Sequence, residues 1–188
     1  MFEWNLIDAF SRTHFAAVPI IFVPAVVGLV WYSIARAGVG ALRSAALVVV
    51  GVLFWTLVEY VVHRHAFHWD ARGPWGKRLH FWLHGVHHQW PNDRYRLVMP
   101  PAVSIGLFVT CLWFYTATLG RYGWALHAGF TLGYMYYDLT HYYLHHGRPR
   151  HPYLRRLKKH HMLHHFKTSS SRFGVSSKFW DYVFLTLG

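Results

Sequence analysis

Four long apolar runs organise this chain, at about 15–34, 44–62, 101–119 and 123–144. Each approaches the roughly 20 residues that a helix needs to cross about 30 Å of hydrocarbon, so the pattern predicts four transmembrane helices. The first run is too long for the core of a cleaved signal. It follows Glu3 and Asp8 instead of a basic stretch, and ends without a small-residue cleavage pattern, so it is expected to stay in the mature protein. Pro19 and Pro24 fall inside it, which membrane helices accept when neighbours satisfy the freed carbonyls. Between and after these runs, residues 63–99 and 145–188 are polar and rich in histidine. They are expected to form one cap on a single membrane domain spanning 1–188, with a turn at Ser169, Ser170 and Ser171.

Composition agrees with this layout. Hydrophobic residues make up 54% and charged residues 14%, well below the quarter or so that soluble domains carry. The net charge of +12 would by itself suit nucleic acid or an anionic membrane surface, and its distribution decides between them. Arg64, Arg72, Lys77, Arg78, Arg94 and Arg96 lie between the second and third runs, and nine further Lys or Arg follow the fourth. The opposite connections hold Arg36, Arg43 and Arg121. By the positive-inside rule, the cap and both termini face the cytoplasm, and no nucleic acid is needed as a partner. Cys111 is the sole cysteine, which excludes a disulfide framework or a cysteine metal site.

The chemistry lies in the histidines, seventeen in all, ten of which fall into four boxes. His63 and His68 form an HxxxxH pattern where the second run ends. His84, His87 and His88 sit at i, i+3 and i+4, a spacing that turns all three to one side of a helix and predicts that they converge. His141 and His145 close the fourth run at i, i+4, and His161, His164 and His165 repeat the HxxHH spacing. Together these imidazoles exceed what one ion can hold, so two metals follow. Imidazole suits Fe, Zn, Cu and Ni alike. No carboxylate base, serine nucleophile or phosphate loop accompanies the boxes to favour hydrolysis, whereas iron with O2 fits a site that faces lipid.

Glu59 precedes His63 by four residues and Asp138 precedes His141 by three, so each is expected to accept the imidazole N–H of that histidine and fix its tautomer. His80, one turn before His84, stands as a further supporting residue. His127 begins the fourth run, about 20 Å from His141 along a helix, and is not expected to be a ligand. His14 and His151 read as interfacial, and His65, His146 and His160 point away from the favoured ligands.

The segments HRHAFH, LHFWLHGVHH, RLVMPP (96–101), GYMYYDLTHYYLHH (133–146), LKKHHMLHHF (157–166) and FGVSSKFWDYVFLT (173–186) resemble the fatty acid 2-hydroxylases of the fatty acid hydroxylase/sterol desaturase superfamily over roughly residues 55–188. HxxHH boxes are shared across that superfamily; the RLVMPP segment and the FG…WD tail favour the acyl 2-hydroxylase branch. The resemblance implies an all-α integral membrane fold, four transmembrane helices under a cytosolic helical cap that holds a dimetal centre. It assigns as ligands His63, His68, His84, His87, His88, His141, His145, His161, His164 and His165. It also implies O2 as co-substrate, two iron ions in the working enzyme with zinc possible in purified protein, and hydroxylation of a fatty acyl substrate beside its carbonyl. Eukaryotic relatives often carry an N-terminal cytochrome b-type haem domain that residues 1–14 are too short to hold. A separate redox partner is therefore expected, docking on the basic cytosolic face that includes Lys158 and Lys159. A sterol or carotenoid hydroxylase or desaturase would share the same cap. A metal transporter or sensor would place its ligands near the bilayer midplane, not at helix ends.

Overall fold

The structure, a computed structural model, describes residue 8 and residues 10–188. It is built of helices, with no strand among the described residues. Helix α1 (Ala17–Ala35) leads into α2 (Ala41–Val62), which continues without a break into a π-helical turn, His63–Phe67. Helix α3 (Gly73–His80) runs through a second π-helical turn (Phe81–Gly85) into the short α4 (Val86–Gln89). Helix α5 (Pro101–Leu119) and α6 (Gly123–His146) are joined by the 3₁₀ turn Gly120–Tyr122, and α7 (Pro152–Phe166) and α8 (Phe179–Val183) complete the chain.

Three helical stretches are long and apolar enough to cross a membrane: Ala17–Ala35, Ala41–Phe67 and Pro101–His146. They mark an integral membrane protein. The third contains the last two apolar runs, α5 and α6, which fold back on each other. Gly123 lies against the Tyr115 carbonyl, Phe108 meets His127, and the Met99 amide donates to Asp138, an antiparallel order of pairs. The predicted turn is present at Ser169 and Ser170.

Helix α6 is the hub, packed against α1, α2 and α5 and buried on several faces by residues such as Leu126, Phe130, Tyr134, Tyr137 and Leu144. The outer helices do the reverse. Ile20, Val27 and Trp31 of α1, Leu42, Val49 and Leu53 of α2, and Val103, Leu107 and Trp113 of α5 all stand exposed. Helices that are apolar all round, with their outer faces uncovered, belong in hydrocarbon.

Without a hydrophobic drive between helices in lipid, close backbone approach supplies the packing energy, and small residues permit it. Gly129 of α6 shows this most clearly, because a Cβ there would lie 2.0 Å from the Val48 carbonyl oxygen of α2. The contact is reciprocal: a Cβ on Gly51 would lie 2.2 Å from the Leu126 carbonyl oxygen. The α2–α6 crossing thereby fixes how the histidine-bearing ends of both helices meet. We expect Gly129→Val to destabilise the detergent-solubilised protein by about 1–3 kcal/mol, the cost of overpacking. Gly28→Ala, where nothing lies within 4 Å, serves as the control; equal melting temperatures for the two variants would contradict this role of the crossing.

Candidate metal centre

Local backbone geometry brings the boxes together. On an α-helix, residues five apart point in different directions, so His63 and His68 would diverge. The π-helical turn His63–Phe67 closes this gap through its i→i+5 repeat, and the two ring centroids lie 5.0 Å apart. His84 sits in the other π-helical turn, and the two turns contact each other. π-turns cost hydrogen-bond quality and recur at functional sites.

The ten histidines picked out by spacing fall into two groups of five. His63, His68, His84, His88 and His164 form one, here called group A, and His87, His141, His145, His161 and His165 form group B; in each, the ligating nitrogens lie within 4.8 Å of one another. The expectation that each HxxHH box converges as a unit is corrected. The i, i+4 pair stays together while the middle histidine turns to the other group: His84 and His88 enter group A and His87 group B, whereas His161 and His165 enter group B and His164 group A. Positions three apart on a helix are offset from positions four apart, and here that offset decides which group each ring joins. Each box therefore ties both groups together, and the His88 and His165 rings stack across the boundary with centroids 4.2 Å apart.

The rings meet edge to edge through Nε2. In group A, His84 lies 3.2 Å from His63 and 3.0 Å from His88, and His68 lies 3.0 Å from His164. In group B, His87 lies 3.0 Å from both His141 and His165, and His161 lies 2.8 Å from His145 and 3.1 Å from His165. Separations near 3 Å are the edges of a coordination polyhedron with metal–nitrogen bonds of about 2.0–2.1 Å. Burial, and then the neighbouring rings, hold His68 down at about 3 and His88 at about 4, and push His84, His87, His161 and His165 well below the ordinary imidazole value. Neutral imidazoles with inward-facing Nε2 atoms are the donor set that a transition metal takes, so the residues fit a metal ion in each group.

Two residues expected to support the ligands act elsewhere. Glu59 does not reach an imidazole: its carboxylate accepts the backbone N–H of Val175 and Ser176, both at 2.8 Å, and the Ser176 hydroxyl. His63 instead pairs through Nδ1 with the Phe173 carbonyl. Asp138 accepts the Met99 N–H at 3.2 Å and the Tyr134 hydroxyl at 2.9 Å. Glu59 is engaged by two consecutive backbone amides and a hydroxyl, Asp138 by one backbone amide and a phenol, and neither carboxyl hydrogen-bonds an imidazole. His80 stays outside both groups, half-buried at the end of α3. His127 is buried among Phe108, Tyr115 and Phe130 and belongs to neither group. Lys158 is drawn onto the Gly147 and His145 carbonyls, where it caps α6, while Lys159 is exposed.

The sequence reading passed over Asp181. It is fully buried and accepts from Phe173 N, Gly174 N, the Thr186 hydroxyl and His160 Nε2, each within 2.9 Å. Burial pushes its carboxyl up, but hydrogen bonds led by that from His160 hold it below the usual carboxylate range. Its signal in the sequence is the FG…WD tail, where Asp181 follows Phe173 and Gly174.

A cavity of about 120 Å³ opens beside both groups, touching His84, His87 and His141 and walled by Leu97, Val98, Met99 and Pro100 of the RLVMPP segment. Met99 also borders a second, largely apolar cavity between the helices, which reaches Cys111 and His127. His84 of one group and His87 and His141 of the other thus line a cavity whose wall is in part apolar.

The depressed histidines set a pH dependence for the metal-free protein. An unfolded imidazole takes up a proton below about pH 6.5, and the folded ones stay neutral to much lower pH. Stability is therefore complete above that pH and is lost progressively as pH falls toward 4 and then 3. We expect the melting temperature of metal-free protein to drop steeply from pH 7 to pH 4, and less steeply in a His68→Asn, His88→Asn double variant. Parallel pH profiles would contradict the burial of neutral rings.

Comparison with known proteins agrees with the geometry. The chain is 39% identical to a dihydroceramide fatty acyl 2-hydroxylase of Arabidopsis thaliana, over 99% of this chain and 78% of that protein. It is 40% identical to a fatty acid 2-hydroxylase of Mus musculus, over the whole chain and 56% of that protein, so it spans little more than half of the mouse relative. The solved structure of full-length scs7p, in which only the hydroxylase domain is visible, superposes with a TM-score of 0.90 at 39% identity, covering 97% of this chain and 69% of that one. Residues 48–186 match the fatty acid hydroxylase family model, and on that match and these relatives the chain belongs to the fatty acid hydroxylase family.

Proposed function

We propose that this protein hydroxylates a lipid acyl chain at the carbon beside its carbonyl, at a di-iron centre held by the ten clustered histidines. The observation that carries this reading is the pair of inward-facing imidazole groups bordering one cavity, with a second, apolar cavity that shares Met99 with it. Relatives named as dihydroceramide and fatty acid 2-hydroxylases support an N-acyl sphingoid lipid or a free fatty acid as substrate. Iron bound in both groups would supply the O2 activation that attack on an unactivated methylene requires, with electrons from a separate donor.

The chain's own residues perform the rest. His84 of group A and His87 and His141 of group B form the metal side of the cavity. Leu97, Val98, Met99 and Pro100 form an apolar wall along which an acyl chain lies, and Asp138 fixes the Met99 backbone. Positioning, not acidity, then selects the carbon, since a reacting centre held within about 3–3.5 Å of its partner gains most from orientation. In this reading α1, α2, α5 and α6 each cross the bilayer, and the histidine end, the basic loops and both termini face the cytoplasm. The exposed basic residues Arg155, Arg156 and Lys159 on α7 form the docking face for the electron donor.

Mass spectrometry of host lipids with and without expression tests the reaction. We expect acyl chains to gain the mass of one oxygen at the 2-position. His88→Ala and His164→Ala, one ligand each, should abolish that product while the protein remains in the membrane. Hydroxylation retained in both variants would overturn the ligand assignment, and chains that lose two hydrogens instead would indicate a desaturase. Met99→Trp should obstruct both cavities that Met99 lines, lowering product at least about tenfold with metal content unchanged. Product formed at the wild-type rate would place the acyl chain elsewhere.

A further inference from the structure

The two imidazole groups are supported differently. Residues 171–176 form no helix or strand, yet Ser171, Arg172, Phe173, Val175 and Ser176 are buried. Four consecutive backbone amides in this segment end on two carboxylates. Asp181 takes Phe173 N and Gly174 N, both at 2.9 Å, and Glu59 takes Val175 N and Ser176 N, both at 2.8 Å. Anchored this way, the segment turns two carbonyls toward the histidines. The Phe173 oxygen accepts from His63 Nδ1, and the Ser171 oxygen accepts from His164 Nδ1 at 2.7 Å. Both of these histidines belong to group A.

An Nδ1–H donated to a fixed carbonyl sets the tautomer, leaves the lone pair on Nε2, and stops rotation of the ring. Group B has no such segment. The Nδ1 atoms of His161 and His165 are buried without a hydrogen-bond partner among the described residues, and His145 is held by the Pro91 carbonyl of another loop. The anchoring is also sterically tight. A Cβ on Gly174 would lie 2.0 Å from the Ser177 carbonyl oxygen and 2.8 Å from Asp181 Oδ2, so the segment closes on the carboxylate only with glycine there.

We propose that residues 171–176, pinned by Asp181 and Glu59, are a brace for group A alone, so that Asp181 positions His63 and His164 and one of the two metals depends on it while the other does not. This inference rests on the two-metal reading above. It makes the buried Asp181, its His160 partner and Gly174 positioning residues that touch no ligand nitrogen of group B.

The test is metal retention by the purified full chain, read by elemental analysis during competition with a chelator. Wild type should hold two ions per chain. Asp181→Asn, which turns an acceptor of two backbone N–H groups into an amide, should weaken one ion about 10- to 100-fold, as supporting residues typically do, and leave the other unchanged. Gly174→Ala, which alters no polar group, should give the same selective loss. Adding His165→Ala to Asp181→Asn should remove the second ion as well. Ser176→Ala deletes one hydroxyl contact to Glu59 and is the mild variant should Asp181→Asn fail to fold; it should shift the same single ion by a smaller factor. Equal weakening of both ions, or of neither, in the variants that fold would overturn the brace. Fewer than two ions in the wild type would instead overturn the two-metal reading and this inference with it.

Discussion

Lone pairs facing lone pairs are the constraint around which the rest of the structure is arranged. In each group five imidazole nitrogens lie within 4.8 Å of one another, and burial keeps His84, His87 and His161 among them neutral. His63 and His164 spend their N–H on backbone carbonyls, so their Nε2 atoms bring only electron density to the centre. Such a cluster is unfavourable by itself and favourable around a cation, which couples metal binding to the folding of the histidine-bearing segments. The two π-helical turns, the Gly129 crossing and the buried carboxylates all serve to hold the rings where the chain alone would not put them.

Much of this was legible in the sequence. The apolar runs marked helices whose bounds match α1, α2, α5 and α6 within a few residues, because twenty apolar residues in a row have one common solution in lipid. The histidines that now face each other could be chosen by spacing, since i, i+4 pairs share a helix face. The split of each HxxHH box between two groups was not legible. It follows from where two separate helices are placed relative to each other, and spacing within one helix carries no such information. The roles of Glu59 and Asp138 failed for a related reason. Spacing put each carboxylate beside a histidine on its own helix, but the amides of residues 175–176 and of Met99 arrive from elsewhere in the chain and engage it instead. Asp181 was hidden because its partners, Phe173 and Gly174, become adjacent to it only once the tail folds over α2, where Trp180 donates to Thr56.

The same architecture explains how a polar metal centre and a hydrocarbon substrate share one small protein. Helix α6 carries Tyr134 on the apolar cavity, Tyr137 and Asp138 on the cavity beside the histidines, and then His141 and His145. One rigid element therefore sets the distance from apolar interior to imidazole cluster. The RLVMPP segment is held to that helix by the Met99 amide on Asp138, so the wall of the cavity and the ligands move together.

Anomalous scattering from crystals of the purified protein, collected at the iron and zinc absorption edges, addresses the central claim most directly. The account predicts two peaks, one inside each group of five histidines, each about 2.0–2.2 Å from several Nε2 atoms. A single peak, or density in which the imidazoles of both groups bind no metal, would contradict it.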